Sequence, residues 1–320
     1  MIHPHLWPAV IGAFIGAPLL AVAAFWLFRR WRVLGTRRRA VLGSLFAIVA
    51  LGYGLCVYAF FIEPNKLVVH DVAIESADWH GTPLSIVAIG DVHLGGPHMD
   101  TARLERIVRR INAMKPDLVV LLGDYVEGHE AKAERSDEAQ AEFESGLGVF
   151  AALDAKLGVI AVIGNHDVWY DRATITRALQ DAGVAVLWNR NVVISRGAQE
   201  FIVAGLEDAR TSEPDYAEAF DGAPDGLDRI VIMHAPDPFA ETPLHIALTL
   251  AAHTHCGQVY VPFLGRPMIP SNYGQRYACG LIVEKGLPLY VTAGLGTSIL
   301  PVRFMTTPEI TRITLSAKAN

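Results

Sequence analysis

The first fifth of the chain contains two long apolar segments. Residues 6–28 and residues 40–62 carry no charged side chain. A helix of about 23 residues is about 35 Å long, which is enough to cross the hydrocarbon core of a bilayer. A buried helix of a soluble protein seldom lacks charge over such a length, and one cleaved signal peptide would not explain two segments. The pattern therefore predicts a transmembrane hairpin over residues 1–62.

Shorter apolar runs follow, with the length of buried strands. They cover residues 85–89, 118–122, 159–163, 201–204, 230–233, 246–250 and 289–291. Between Asp100 and Met114 the apolar residues are spaced as on one face of a helix, and a second helical stretch covers residues 139–153. This alternation predicts an α/β domain over residues 85–320, joined to the hairpin by a linker over residues 63–84.

Polar motifs come directly after five of these apolar runs. They are Asp91-x-His93, Gly123-Asp124, Gly164-Asn165-His166-Asp167, Met233-His234 and His253-Thr254-His255. In α/β folds, ligands bind beyond the carboxyl ends of the strands. We therefore expect the five motifs to meet at one site.

The side chains of these motifs are those of a site for two metal ions. Carboxylates, a carboxamide and imidazoles together suit Mn, Fe or Zn. Asp91 and His93 are expected to point to one side of an extended backbone and to hold one ion, whereas Asp124 can bridge two ions. Two divalent ions beside two carboxylates keep about two positive charges, which can hold a hydroxide and a phosphate oxygen. We expect phosphoester hydrolysis by metal-activated water, without a covalent intermediate.

Charge is distributed unevenly along the chain. Six of the 27 basic residues lie between the apolar segments, in residues 29–39, and none of the 33 acidic residues precedes Glu63. By the positive-inside rule this loop faces the cytoplasm, which places the catalytic domain outside it. The acidic remainder argues against nucleic-acid binding, so the expected partners are the membrane and a phosphorylated small molecule or lipid-linked phosphate. A separate hypothesis is twin-arginine export, because Thr36-Arg37-Arg38-Arg39 faintly resembles that signal.

The ordered motif set closely resembles that of the calcineurin-like metallophosphoesterase family, whose pattern is matched from Asp91 to His255. The resemblance implies a four-layer αββα sandwich that holds two metal ions. It implies one ion on Asp91, His93 and His255 and a second on Asn165, His234 and His253, with Asp124 bridging them. It also implies that His166 stabilises the transition state or protonates the leaving oxygen, and that Asp167 orients the His166 imidazole.

The segments after the last motif look like the membrane-anchored branch of that family. They are Gly257-Gln258-Val259, Gly294-Leu295-Gly296, Pro301-Val302-Arg303 and Pro308-Glu309-Ile310. Some members of this branch act on nucleotide-linked lipid precursors such as UDP-2,3-diacylglucosamine, so a pyrophosphatase of that type is one alternative. UDP-linked acyl sugars are made in the cytoplasm, however, and an envelope phosphodiester or pyrophosphate, or a scavenged nucleotide, fits the predicted topology better. An inert membrane-tethered scaffold is the alternative of another class, and the retained Asp124, Asn165 and His166 argue against it.

The chain departs from the family pattern at two positions beside the last motif. Ala252 and Cys256 stand where glycine is usual. Alanine needs a backbone with negative φ, so the turn is expected to be slightly altered. Cys256 is expected to be a small turn residue, and the sequence leaves open whether it pairs with Cys279 or stays a free thiol.

The loop after the last motif is rich in glycine, proline and apolar residues. Arg266, Tyr273 and Arg276 are candidate substrate contacts there, since such loops often carry them. Two interpretations of the apolar residues stay open: a rim that reaches toward lipid, or packing against the second sheet. These residues are Pro262, Phe263, Leu264, Met268 and Ile269.

Three polar residues outside the motifs also bear on the site. Arg303 and Glu309 are expected to pair and to hold the C-terminal segment. His98, five residues after His93, is a further candidate to touch a leaving group.

Overall fold

The computed structural model describes residues 6–243 and 245–318. Its helices are α1 (Trp7–Arg30), α2 (Thr36–Val57), α3 (Thr101–Ala113), α4 (Asp137–Leu147), α5 (Asn165–Asp181) and α6 (Tyr216–Ala219). Its strands are β1 (Val68–Ser76), β2 (Leu84–Ile89), β3 (Leu118–Leu121), β4 (Val159–Ala161), β5 (Ala185–Val186), β6 (Arg190–Arg196), β7 (Gln199–Gly205), β8 (Asp228–Ile232), β9 (Leu248–Ala251), β10 (Gly280–Glu284), β11 (Leu287–Val291) and β12 (Glu309–Ala317).

Helices α1 and α2 correspond to the two apolar segments. Both are long and apolar enough to cross a membrane, by length and composition, and no residue of either helix is buried. They contact each other where the Tyr53 hydroxyl donates to the Ala13 carbonyl at 2.7 Å. Helix α2 continues through a π-helical turn, Tyr58–Ile62, up to the catalytic domain. The membrane hairpin itself stays a prediction.

Helix α3 forms as its sequence predicts. Asp100 caps its N-terminus by accepting a hydrogen bond from the Arg103 amide at 2.7 Å. Its apolar face is buried against the first sheet, through Leu104, Ile107, Val108 and Ile111. The second predicted helix is shorter than expected, because α4 ends at Leu147 and a 3₁₀ turn, Gly148–Ala152, follows.

Two six-stranded sheets form the core of the domain. Their strand orders are β1-β12-β2-β3-β4-β5 and β10-β11-β9-β8-β7-β6. The sheets pack face to face through residues such as Ile86, Val120 and Phe201. Helices α3, α4 and α5 cover the outer face of the first sheet, and α6 with short 3₁₀ turns covers the second. The predicted α/β sandwich is confirmed, although its fourth layer is thin.

The expectation of a linker over residues 63–84 is wrong for its central part. Strand β1 lies within that segment and pairs in parallel with β12, from Val68 opposite Glu309 to Ser76 opposite Ala317. The sequence hid β1 because it is an edge strand with only two buried residues, so it lacks a continuous apolar run.

The end of the second apolar helix is hydrogen-bonded to the catalytic domain. The Glu63 carboxylate is buried and accepts hydrogen bonds from the Met305 amide at 2.7 Å and the Thr306 amide at 2.8 Å. The Arg303 amide donates to the Ala59 carbonyl at 3.0 Å. These bonds fix the helix to the segment 303–307.

The expected pair of Arg303 with Glu309 is replaced by separate sets of partners. The buried Arg303 guanidinium donates to the carbonyls of Gly296 and Ala293. The Glu309 carboxylate accepts from the Tyr290, Thr292 and Thr311 hydroxyls. Backbone carbonyls therefore accept hydrogen bonds from Arg303, and hydroxyls donate hydrogen bonds to Glu309, so neither group needs the other as a partner.

We predict that Glu63→Ala destabilises the domain by on the order of 3 kcal/mol, because the Met305 and Thr306 amides lose their buried acceptor. Thermal unfolding of the detergent-solubilised protein measures this loss. The matched control is Glu75→Ala, at an exposed position of β1, which should leave the midpoint nearly unchanged. Equal midpoints for the two variants would show that Glu63 does not hold the helix.

Candidate metal centre

Asp91 and His93 lie in the turn that follows β2. Their backbones are left-handed, with φ of 49° and 47°, so the expected extended conformation is wrong. The turn is held against the next motif, because the Asp91 amide donates to the Gly123 carbonyl at 2.9 Å and the His93 amide to the Asp124 carbonyl at 3.0 Å. Hydrogen bonds between the two turns, and not a strand pleat, bring the side chains together.

Asp124 follows β3 in a turn of similar form, with φ of 57°. The preceding Gly123 has φ of 87°, and a Cβ there would lie 2.6 Å from the Gly164 nitrogen and 2.8 Å from His234 Nδ1. Glycine is needed at this position because of both its conformation and its neighbours.

The N-terminus of α5 carries Asn165, His166 and Asp167. The Asp167 carboxylate accepts hydrogen bonds from the amides of Asp124 and Tyr125 at 2.8 Å and Gly164 at 2.9 Å. It therefore fixes the backbone of the Asp124 turn, and the expectation that it orients the His166 imidazole is wrong. Its position in the first turn of the helix directs the side chain back over the helix N-terminus.

The carbonyl of Gly128 orients the imidazole of His166. His166 Nδ1 lies 2.7 Å from that oxygen, so Nδ1 carries a proton and Nε2 is left for the site. His166 Nε2 lies 3.9 Å from Asp124 Oδ2 and 3.3 Å from Ser298 Oγ. This geometry leaves Nε2 at the edge of the centre.

Imidazoles flank the Asp124 carboxylate on two sides. On one side His93 Nε2 lies 3.8 Å from Asp124 Oδ2 and 3.1 Å from His255 Nε2. On the other, His234 Nε2 lies 3.1 Å from the same oxygen and 3.1 Å from His253 Nδ1. Asp91 joins the first group, with Oδ1 3.9 Å from His255 Nε2.

The donor atoms form groups that could each hold a metal ion. Within each group the atoms lie within 4.8 Å of one another, and all these residues are buried. The groups are Asp91, His93 and His255; His93, Asp124 and His166; and Asp124, His234 and His253. Buried atoms without a hydrogen-bond partner include Asp91 Oδ2, Asn165 Oδ1 and His253 Nε2. Buried oxygen and nitrogen atoms that lack a hydrogen-bond partner are suited to bind divalent ions. The residues therefore fit a metal centre.

Burial keeps most of these imidazoles neutral. It lowers the pKa of His93 to about 3 and the pKa of His253 to about 3, and it holds the pKa of His255 well below its ordinary value. A neutral imidazole is the form that binds a metal. Burial also raises the pKa of Asp91 to about 7, so this carboxyl competes for a proton when no cation is near.

Asp124 and His234 form a strongly interacting pair. Burial favours the neutral form of each, but the Asp124 charge raises the pKa of His234 to about 10. The His234 charge likewise holds the pKa of Asp124 well below its usual range, against the effect of burial. Asp124 thus requires positive charge beside it, which a divalent ion supplies.

A cavity of about 260 Å³ opens onto the centre. Sequence reasoning missed several residues that line it, namely His129, Trp169, Arg210, Ser298, Ile299 and Leu300. Arg210 alone had a usable signal, because it follows the carboxyl end of a predicted strand. Trp169 lies on α5, one turn after His166, and the remaining residues are in loops that no local pattern ties to the motifs.

The predicted substrate residues Arg266, Tyr273 and Arg276 are not among the described residues that line this cavity. Arg266 donates to the Cys256 carbonyl, and Arg276 forms a two-bond ion pair with Glu284. Their guanidinium groups thus bond to the protein and do not face the centre. His98 also lies outside the lining and is 3.2 Å from the Pro301 carbonyl.

A disulfide joins Cys256 to Cys279 and settles the question that the sequence left open. Cys256 has φ of 51°, the left-handed conformation that explains the usual glycine there. The buried sulfur is therefore not a free thiol beside the metal ligands. The disulfide closes the loop 257–278 at its base.

The comparisons with known proteins agree with this geometry. The model of the calcineurin-like phosphoesterase family matches residues 84–257. The chain is 29% identical to the uncharacterized metallophosphoesterase YkuE of Bacillus subtilis, over 88% of this chain and 98% of that protein. It is 28% identical to phosphodiesterase YaeI of Escherichia coli, over 87% and 98%.

A third relative is named as a transmembrane protein. The chain is 27% identical to the transmembrane protein with metallophosphoesterase domain of Danio rerio, over 88% of this chain and 63% of that protein. The family match covers more than half of the chain and contains all the predicted metal ligands. The chain therefore belongs to the calcineurin-like phosphoesterase family and is a metal-dependent phosphoric ester hydrolase.

Proposed function

We propose that the protein is a membrane-anchored phosphoesterase that uses two divalent metal ions to hydrolyse a phosphodiester or pyrophosphate outside the cytoplasm. One observation carries the proposal. A single oxygen of Asp124 lies within 4 Å of both His93 and His234, which belong to opposite groups of ligands. A carboxylate in that position can bridge two ions.

Two ligand groups share Asp124. Asp91, His93 and His255 would hold one ion, and Asn165, His234 and His253 would hold the other. When bound, the ions supply an activated water and neutralise charge on the phosphate. The mixed nitrogen and oxygen ligands suit Mn, Fe or Zn.

The residues at the rim of the centre handle the substrate. His166 Nε2 faces the cavity, and the imidazolium form of His166 could give the Nε2 proton to the leaving oxygen while Nδ1 keeps its hydrogen bond to the Gly128 carbonyl. Arg210 brings a guanidinium to the cavity wall, where it can pair with phosphate. Asp167 acts through the backbone and keeps Asp124 in place.

The disulfide supports an extracytoplasmic domain. Disulfides persist in oxidising compartments and are rare in the cytoplasm. This agrees with the orientation that the arginine-rich loop predicts. It also disfavours the UDP-2,3-diacylglucosamine alternative, whose substrate is cytoplasmic. The inert scaffold is disfavoured because all the proposed ligands are present and converge.

We predict that Asp124→Asn and His255→Ala abolish metal-dependent hydrolysis of bis-p-nitrophenyl phosphate and lower the bound metal. His166→Ala should keep the metal and slow turnover roughly 10²- to 10⁴-fold, because only proton transfer and transition-state contacts are lost. Metal analysis of each purified full-length variant accompanies the rate measurement.

The matched control is His80→Ala, since this exposed imidazole pairs with Asp228 outside the centre. It should retain both metal and activity. Loss of metal in His166→Ala, or full activity in Asp124→Asn, would contradict the assigned roles.

We predict that cells contain the chain with Cys256 and Cys279 oxidised. Denaturing alkylation with a mass-tagged maleimide should add one tag without reductant, on the free Cys56, and three tags after reduction. Three tags without reductant would indicate a domain facing the cytoplasm.

A further inference from the structure

Two loops beside the metal centre expose large apolar side chains. In the loop 257–278, Phe263 is 104% exposed, Leu264 79% and Met268 73%. In the segment 298–305, Ile299, Leu300 and Met305 are all more than half exposed. We call these six residues the apolar rim. Because they are exposed, the open alternative in which Phe263 and Leu264 pack against the second sheet is wrong.

Three residues of the apolar rim border the catalytic cavity. Met268 lines the cavity from one loop, and Ile299 and Leu300 line it from the other. Beyond residue 66, most of the large exposed apolar side chains in the described part of the chain lie on these two loops. Soluble surfaces rarely gather apolar groups in this way unless they meet a partner or a membrane.

Both loops are tied to the segment that holds the second apolar helix. Segment 303–307 binds Glu63 and Ala59 at the end of that helix. The loop 257–278 joins the same segment, because the Phe304 amide donates to the Gln258 carbonyl at 2.9 Å and the Tyr260 amide donates to the Phe304 carbonyl at 2.8 Å. The rim therefore keeps a fixed position relative to the helix end.

The residues at that helix end are typical of a bilayer surface. Tyr58 and Lys66 lie on either side of the final turn, and the Lys66 ammonium donates to the Tyr58 hydroxyl at 3.0 Å. Tyrosine and lysine are favoured where an apolar segment leaves the hydrocarbon core. The Tyr58 ring also packs against Phe304, with ring centres 6.4 Å apart. The segment that carries part of the rim thus meets the helix at residues of the kind favoured at headgroup level.

We infer that the apolar rim inserts into the surface of the bilayer that holds α1 and α2, and that the substrate is an amphiphilic phosphate ester of that bilayer. The inference rests on the proposed function and names its substrate class. The acyl or similar apolar chains stay in the bilayer while the phosphate enters the cavity between Met268 and Leu300. Apolar insertion at the mouth removes the need to lift the whole lipid into water.

A first test measures insertion without using activity. A polarity-sensitive fluorophore is attached to Phe263→Cys in full-length protein that also carries Cys56→Ala, in phosphatidylcholine vesicles. Lipids with a doxyl quencher near the headgroup should quench it. A probe at Glu142→Cys, exposed on α4, is the matched control and should be unaffected. Equal, weak quenching at the two positions would overturn the inference, whatever the enzyme hydrolyses.

A second test compares two esters that release the same p-nitrophenol. One is soluble bis-p-nitrophenyl phosphate, and the other is the p-nitrophenyl ester of dioleoyl phosphatidic acid embedded in the vesicles. The double variant Phe263→Ser with Leu264→Ser should lower lipid-ester hydrolysis roughly tenfold, since less apolar surface reaches the bilayer. Its rate on the soluble ester should stay within about twofold, because neither residue lines the cavity.

The matched control for this comparison is Leu281→Ser with Val283→Ser, an exposed apolar pair on strand β10. It should change neither rate. An equal loss in the two double variants, or equal loss on the two esters, would overturn the inference. If the unmodified protein cleaves only the soluble ester, the inference fails and the proposed function stands; if it cleaves neither, the proposed function itself fails.

Discussion

The structure depends on the neutralisation of one buried carboxylate. Asp124 is almost fully buried between imidazoles, and its charge needs positive charge close by. A proton on His234 can supply part of it, and the two cations that we propose the flanking ligands hold would supply the rest, in an arrangement suited to phosphoester hydrolysis. The left-handed backbones of Asp91, His93, Asp124, His253 and His255 show how far the chain is bent to bring these donors together.

The two-sheet architecture makes this convergence possible. Strands β2, β3 and β4 of the first sheet lead into Asp91, Asp124 and Asn165, and strands β8 and β9 of the second lead into His234 and His253. Because the sheets pack face to face, the ends of five strands meet at one edge. Asp167 links two of these ends, since its carboxylate accepts from the Asp124 amide after β3 and from the Gly164 amide after β4.

Much of this centre could be predicted from the sequence, because strand-end motifs are local and their chemistry is specific. Prediction failed where long-range contacts decide the outcome. Strand β1 has no apolar run and exists through its pairing with β12. Asp167 looked like a partner of the neighbouring His166, but its carboxylate accepts from the Gly164 amide at the helix N-terminus and from the Asp124 and Tyr125 amides of a distant turn. The cavity wall combines Trp169 of α5 with Arg210 and Ile299 of two separate loops, and no sequence pattern shows which loops fold toward the centre.

The most direct test of the proposed two-metal centre is electron paramagnetic resonance of the full-length protein loaded with Mn²⁺. Two ions bridged by Asp124 should lie about 3.5–4 Å apart and give the broad, multiline spectrum of an exchange-coupled pair. The Asp124→Asn variant should lose that coupling. A six-line spectrum of isolated Mn²⁺ in the unmodified protein, at saturating metal, would contradict the two-ion centre on which the catalytic account is built.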